Sequence, residues 1–271
     1  MTKRFRIKHT TEYKYDSPVF SEPHHLYFYP LQRDHQQTID CQIAIYPAPA
    51  GTSVRLDVEN NTYMECLFGE TTNRLRIDAE ILIETRPFNA FGYLLETAPK
   101  TAFDEVIRLY ASGVAMRKEA MEWLKTYDQT DVSGFVGDLC RAIHDKWPHT
   151  TSEDPELCNP NTCFLAEEAS CRDLAWLMIN MLRALGYAAR FVSGYSYNPE
   201  LTGHELHAWV EVWLPGAGWI GLDPTAGLFV TESYFPVAAS YHPTNTLPVQ
   251  GSYRGKADSK LETKVEIVRS T

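Results

Sequence analysis

No run of this 271-residue chain approaches the roughly 20 apolar residues that a helix needs to cross a bilayer. Its opening, MTKRFRIKHTTEYKYD, is cationic but alternates polar and apolar residues where an export leader would turn continuously apolar, so a soluble, cytoplasmic protein is expected. Positive charge is in short supply: 25 Lys and Arg stand against 35 Asp and Glu, a formal net charge of -10. Without clustered cations to meet phosphates, nucleic acid is excluded as an expected partner. Cysteine is sparse as well. Cys41, Cys66, Cys140, Cys158, Cys163 and Cys171 are scattered through a large chain, not spaced as a disulfide framework, and are expected to be reduced. No internal repeat, low-complexity tract or loop of calcium-ligand spacing is visible, and no cofactor or metal ion is expected.

What is present is ample material for a core, with 44% hydrophobic and 22% charged residues. From Phe5 to Phe88, period-two runs such as RFRIKHTTEYKY, IDCQIAIYP, SVRLDVEN and RLRIDAEILIE alternate with turn-like stretches, which predicts an antiparallel sandwich or half-barrel. The passage from Arg86 to Lys100 breaks the alternation and reads as a linker. Residues 1–95 are thus expected to form a β-rich domain and residues 96–271 a second one. Between Thr101 and Trp147 apolar residues fall at helical spacing, predicting two or three helices. The polar stretch HTTSEDPELCNPNT reads as a covering loop. Beyond it come a strong helix from Cys171 to Leu185 and strands at Ala188–Tyr197, His207–Leu214, Trp219–Leu222, Phe229–Ala238 and Lys260–Val268.

In CRDLAWLMINMLRAL, residues Cys171, Leu174, Leu177, Met178, Met181, Leu182 and Leu185 form one apolar stripe. Ser170 is a good N-cap and Asp173 completes a variant of the capping box. Cys171 therefore opens the helix, where unpaired N–H groups and the positive end of the dipole favour a thiolate and can hold an oxyanion. Read more simply, Cys171 is one more small residue on a buried stripe, and Glu167 and Glu168 would oppose a thiolate if they turned toward it.

HAWVEVWL puts His207, Trp209, Glu211 and Trp213 on one face of a strand, and a tight PGAG connection leads into GWIGLDPT. If Trp213 pairs with Trp219, Asp223 falls opposite Trp209 and diagonal to His207 on the same face; a one-residue slip sends it to the other. Nucleophile, base and orienter would then be present together.

The segments SCRDLAWLMINMLRALGYAARFVSGY, HAWVEVWLPGAGWIGLDPT and FPVAASYHPTNTLPVQGSYRG, in that order, resemble the catalytic core of bacterial transglutaminase-like proteins, and YKYDSPVFSEPHHLYFYPLQ resembles the β-rich domain that precedes it. The resemblance implies an α+β protein in which a papain-like core carries the cysteine on a helix packed against an antiparallel sheet. By position it implies Cys171 as nucleophile, His207 as general base and Asp223 as the residue that orients the imidazole. This chain departs from the family text around the cysteine, reading Ala169, Ser170, then Arg172, Asp173, Leu174, Ala175 and Trp176, and it has Trp147, Pro148 and His149 where the family tends to have Phe-x-Tyr.

Such a triad implies acyl transfer through a thioester, with a peptide or protein as acyl donor and water or an amine as acceptor. Hydrolysis of an amide bond is the expected activity and transamidation the alternative. Ser170, Trp209 and Trp213 are candidates for the substrate site. Two other classes stay open: a metal site using His204, Glu205, His207 and Asp223, although HELH lacks the spacing of the helical zinc motif, and a binding module without turnover.

Overall fold

Alternation governs the first 85 residues, and the strands follow it. The computed structural model describes residues 2–93, 104–151, 156–200 and 203–270. Strands β1 (Lys3–Ser21), β2 (His24–Leu26), β3 (Gln36–Tyr46), β4 (Gly51–Leu56), β5 (Thr62–Leu67) and β6 (Thr71–Thr85) come first. Long β1 pairs antiparallel with β6, and β6 with β3, while β2, β5 and β4 make a smaller antiparallel sheet. Phe5, Ile7 and His9 of β1 and Ile77, Ile81 and Ile83 of β6 are buried at every second position, as the strand period requires. One end of that buried face shares a core with the smaller sheet, through Tyr15, Leu26, Phe28, Cys66 and Leu75. This is the sandwich-like part.

The described helices are α1 (Asp104–Ala111), α2 (Lys118–Leu124), α3 (Val132–Lys146), α4 (Pro160–Cys163) and α5 (Cys171–Ala184). Residues 94–100 of the expected linker, with the expected domain boundary, lie outside the described residues, as do residues 152–155 of the expected loop. That loop ends in a helical turn, α4, because the Asn159 side chain accepts from Asn161 N and Pro160 occupies the first turn.

A third antiparallel sheet follows, in the order β10 (Leu228–Phe229), β9 (Gly218–Asp223), β8 (His207–Leu214), β7 (Ala189–Ser196) and β11 (Tyr234–Ser240). The single strand expected at 229–238 is two strands. Its first part pairs with β9 and its second with β7, at opposite edges of the sheet, so the chain must break between them. α5 lays Leu174, Leu177, Met178 and Met181 against Ala208, Val210 and Val212, closing one face of this sheet. Burying each such side chain contributes about 1.5–3 kcal/mol. On the other face, Leu31 packs with Val192, Trp209 and Ala239 and Arg33 pairs with Glu211, while Phe5, Ile7, Ile81 and Ile83 of the long N-terminal sheet pack against Tyr195, Phe235 and Val237 of β7 and β11. Covered on both sides, β7 and β8 are buried almost throughout, without the polar-out alternation of a half-exposed sheet.

Within the region 96–271, expected as a second domain, the last strands return to the sheets of the first region. The last strand exists, but it belongs to the first region. β12 (Val249–Gln250) pairs with β2, whereas β13 (Tyr253–Arg254) and β14 (Ser259–Ser270) pair with β1. β14 runs alongside β1 from Arg4 to Tyr15 and covers an edge whose backbone groups would otherwise be open. Chain ends and N-terminal strands thus form one unit that backs the sheet carrying His207.

Candidate active site

α5 starts where its cap dictates. Ser170 Oγ accepts from Asp173 N at 3.2 Å and donates to the Asp173 carboxylate at 2.6 Å, so the capping box closes through the hydroxyl. The other Asp173 oxygen accepts from Cys158 N at 3.0 Å and ties the preceding loop to the helix. Cys171 is left as the first helical residue. The helix's apolar stripe is buried from Leu174 to Leu182 and half-buried at its ends, Cys171 and Leu185, while Glu167 and Glu168 are exposed.

The β8–β9 register is Trp213 opposite Trp219 and Val210 opposite Leu222. Continued by one pair, it sets Asp223 opposite Trp209, diagonal to His207. His207 Nε2 is 2.7 Å from Asp223 Oδ2. The same oxygen accepts from the Tyr234 hydroxyl at 2.8 Å, and Oδ1 accepts from Thr225 N at 2.9 Å. A carboxylate so fully engaged is held in one orientation. Because Nε2 faces Asp223, Nδ1 is the ring nitrogen left for the Cys171 sulfur, and the two side chains are hydrogen-bonded. A second histidine, His149, also hydrogen-bonds the sulfur, and the Ala208 backbone contacts it.

These contacts decide protonation. Burial opposes a charged Cys171, but hydrogen bonds from His149 and His207 and the charge on His207 prevail and bring the thiol down to about 6. Burial also opposes an imidazolium at His207, yet the charge and hydrogen bond of Asp223, with Cys171, raise it to about 10. Asp223, although buried, is kept below the usual carboxylate range by His207 and Tyr234. The two shifts run in opposite directions, thiol down and imidazole up, and together favour a thiolate–imidazolium pair near neutral pH. Cys163, within the same core, lacks such donors: burial chiefly, with Cys158 and Asp173 nearby, pushes its thiol up to about 12.

A pocket of about 190 Å³ opens over the sulfur, lined by His149, Ser170, Cys171, Arg172, Glu205 and His207 among others. Ser170 reaches it. Trp209 and Trp213, expected at the substrate site, are not among the residues that line this pocket. Trp209 is 1% exposed, packs edge-on against Tyr234 and is closed over by Leu31 and Val230. Trp213 lies at the far end of β8 and meets Trp219 edge to face at 5.5 Å. His204 turns away to stack on Tyr197, so the HELH residues do not converge. Among the described residues, no group of three or more His, Cys, Asp or Glu could hold a metal ion. Two residues here escaped sequence reasoning. His149 stands where the family's Phe-x-Tyr element ends, which was the available signal, whereas Tyr234 sits just before the recognisable FPVAASY block.

Comparison with known proteins agrees with this architecture. Residues 5–84 match the family described as the bacterial transglutaminase-like N-terminal region, and residues 125–224 match the transglutaminase-like superfamily. An uncharacterized protein of Mycobacterium tuberculosis is 25% identical over 98% of this chain and 93% of its own length. A protein-glutamine gamma-glutamyltransferase of Pseudomonas aeruginosa is 44% identical over 97 residues, which are 32% of this chain and 14% of that protein. A crystal structure from Cytophaga hutchinsonii, of a protein provisionally named a cysteine protease, superposes with a TM-score of 0.78 at 19% identity, covering 99% of this chain and 91% of that one, and shares the fold. With both of the family's regions matched in their usual order, this chain belongs to the transglutaminase-like superfamily.

Proposed function

We propose that this protein is an acyl-transfer enzyme that hydrolyses an amide bond through a thioester on Cys171. The reading is carried by one observation: a thiol at a helix front is hydrogen-bonded to an imidazole whose other nitrogen lies 2.7 Å from a buried carboxylate. In acylation the Cys171 thiolate forms a C–S bond to the donor's carbonyl carbon. Protonated His207 gives its proton to the leaving nitrogen as the C–N bond breaks, and Asp223 holds the ring in the tautomer this needs. In deacylation a water attacks the thioester, His207 accepts its proton, and the thiolate leaves.

An amine in place of that water makes the same site a transamidase. The segment 44% identical to a protein-glutamine gamma-glutamyltransferase favours this second reading. Both share the first half-reaction, so trapping the intermediate tests the common step and the products separate the outcomes. The chain is incubated with a library of glutamine-containing peptides, with and without a primary amine, and analysed by mass. An acyl adduct on Cys171, absent in Cys171→Ala, is expected, with free acid as product; amine-linked product would favour transamidation. No adduct, together with a Cys171 that iodoacetamide labels no faster than Cys158, would leave a binding module.

A further inference from the structure

Two imidazoles face the Cys171 sulfur, and the triad uses one of them. The other, His149, is delivered by backbone pairing. Ala169 N donates to Pro148 O at 3.1 Å and Thr150 N donates to Ala169 O at 3.0 Å, a short parallel bridge that fixes His149 alongside the residue two before the nucleophile. Ala169 is itself buried, which anchors the bridge. From this mount the ring hydrogen-bonds the sulfur and forms part of the pocket wall, while the residue keeps an exposed side. His207 is engaged from behind by Asp223 and has a proton to deliver; His149 stands at the sulfur as a donor open to the space that a substrate carbonyl must enter.

We infer that His149 is the side-chain half of the oxyanion hole, a catalytic residue whose ring N–H holds the acyl donor's carbonyl oxygen as it becomes negative. The inference rests on the reading of Cys171, His207 and Asp223 as the triad. When the thiolate attacks, the C–S bond forms, the carbonyl π pair moves onto oxygen, and the charge that His149 faced on sulfur passes to an oxygen one atom away. A donor already aimed at that spot needs little reorganisation to follow it. The N–H groups at the first turn of α5, which have no partner within the helix, supply the other half. Collapse of the intermediate restores the carbonyl and expels the leaving group, and His149 ends the step with the proton it began with.

The test uses the full chain and two probes of the same sulfur. p-Nitrophenyl acetate acetylates it through a tetrahedral oxyanion and releases p-nitrophenolate. Iodoacetamide alkylates it by displacing iodide from an sp3 carbon, which develops no oxyanion. Both rates are read at their pH plateaus, with intact mass locating the adduct. In His149→Ala, acetylation is expected to fall by about 10²–10³ while alkylation changes by less than about threefold. His149→Gln, which keeps an N–H donor, should recover most of the acetylation rate. Parallel loss in both reactions, unchanged acetylation in His149→Ala, or a wild type that alkylates fast yet takes no acetyl group overturns the assignment and leaves the triad standing. A wild-type Cys171 no more reactive toward iodoacetamide than Cys158 overturns the triad itself.

Discussion

His207 and Glu211 sit four residues apart on β8, on one face of the strand, and both bind an oppositely charged partner in a buried setting. Glu211 is clamped between Arg33 and Arg190, each at 2.6 Å, and Arg190 stacks on Trp219 at 4.2 Å. Burial would raise its carboxyl, but the arginines hold it below its ordinary value. Every charge in that cluster is permanent near neutrality. His207 occupies the rim, where the strand begins, and its partners include a thiol whose proton is mobile in the accessible pH range. A buried ion pair alone does not mark a reactive site; a titratable member and an opening to solvent do.

Removing the carboxylate from each cluster should break this contrast most visibly. Asp223→Asn is expected to lower p-nitrophenyl acetate acetylation by on the order of 10⁴, the loss typical of a triad carboxylate. The sign of the accompanying pH change follows from the contacts. Asp223 raises His207, so its loss lets His207 release its proton at lower pH; a less persistent imidazolium supports the thiolate less, and the Cys171 midpoint climbs from about 6 toward the ordinary thiol range. Alkylation rate against pH reads the midpoint directly, and an unmoved profile would count against a coupled pair.

Glu211→Ala should act on stability instead. Two buried or half-buried guanidiniums lose their shared partner, at a cost of about 3–5 kcal/mol. Urea denaturation at pH 7 measures it. Cys171 alkylation in the folded variant should match the wild type; a loss of reactivity in step with stability would mean that the two clusters are one functional unit.

The contrast also explains what could be read from sequence. The Trp213–Trp219 register was legible because a short turn and strict alternation leave few pairings that keep His207 and Asp223 on one face. The front of α5 was legible because a serine cap acts locally. Each of these signals spans a few residues. His149 reaches the sulfur through a bridge to Ala169, and Tyr234 reaches Asp223 from a strand at the opposite edge of the sheet, so neither leaves a periodic trace. β14 illustrates the same limit at the scale of the fold: its alternation announces a strand, but nothing in it names β1 as the partner. The strand alone assigns Trp209 and Trp213 no role, because an aromatic face looks alike whether it meets solvent or, as at Trp209, the side chains of Leu31, Val230 and Tyr234.

The finest expected difference lies behind the proposed triad, at Tyr234. Its hydroxyl donates to Asp223 Oδ2, the oxygen that His207 also engages. The two donors compete for one oxygen's charge, while the Thr225 N–H holds the other oxygen independently. Tyr234→Phe removes one hydrogen bond worth roughly 0.5–1.5 kcal/mol, leaves a space no larger than the lost oxygen, and frees more of the carboxylate's charge for His207. The His207 ring should therefore titrate at higher pH, opposite in direction to Asp223→Asn, while acetylation falls only about two- to tenfold as the carboxylate loses one of its tethers. Ring-proton titration by NMR separates the two effects. A shift downward in Tyr234→Phe would mean that the hydroxyl strengthens the grip of Asp223 on His207, and that the back of the site is built for charge where the geometry points to orientation.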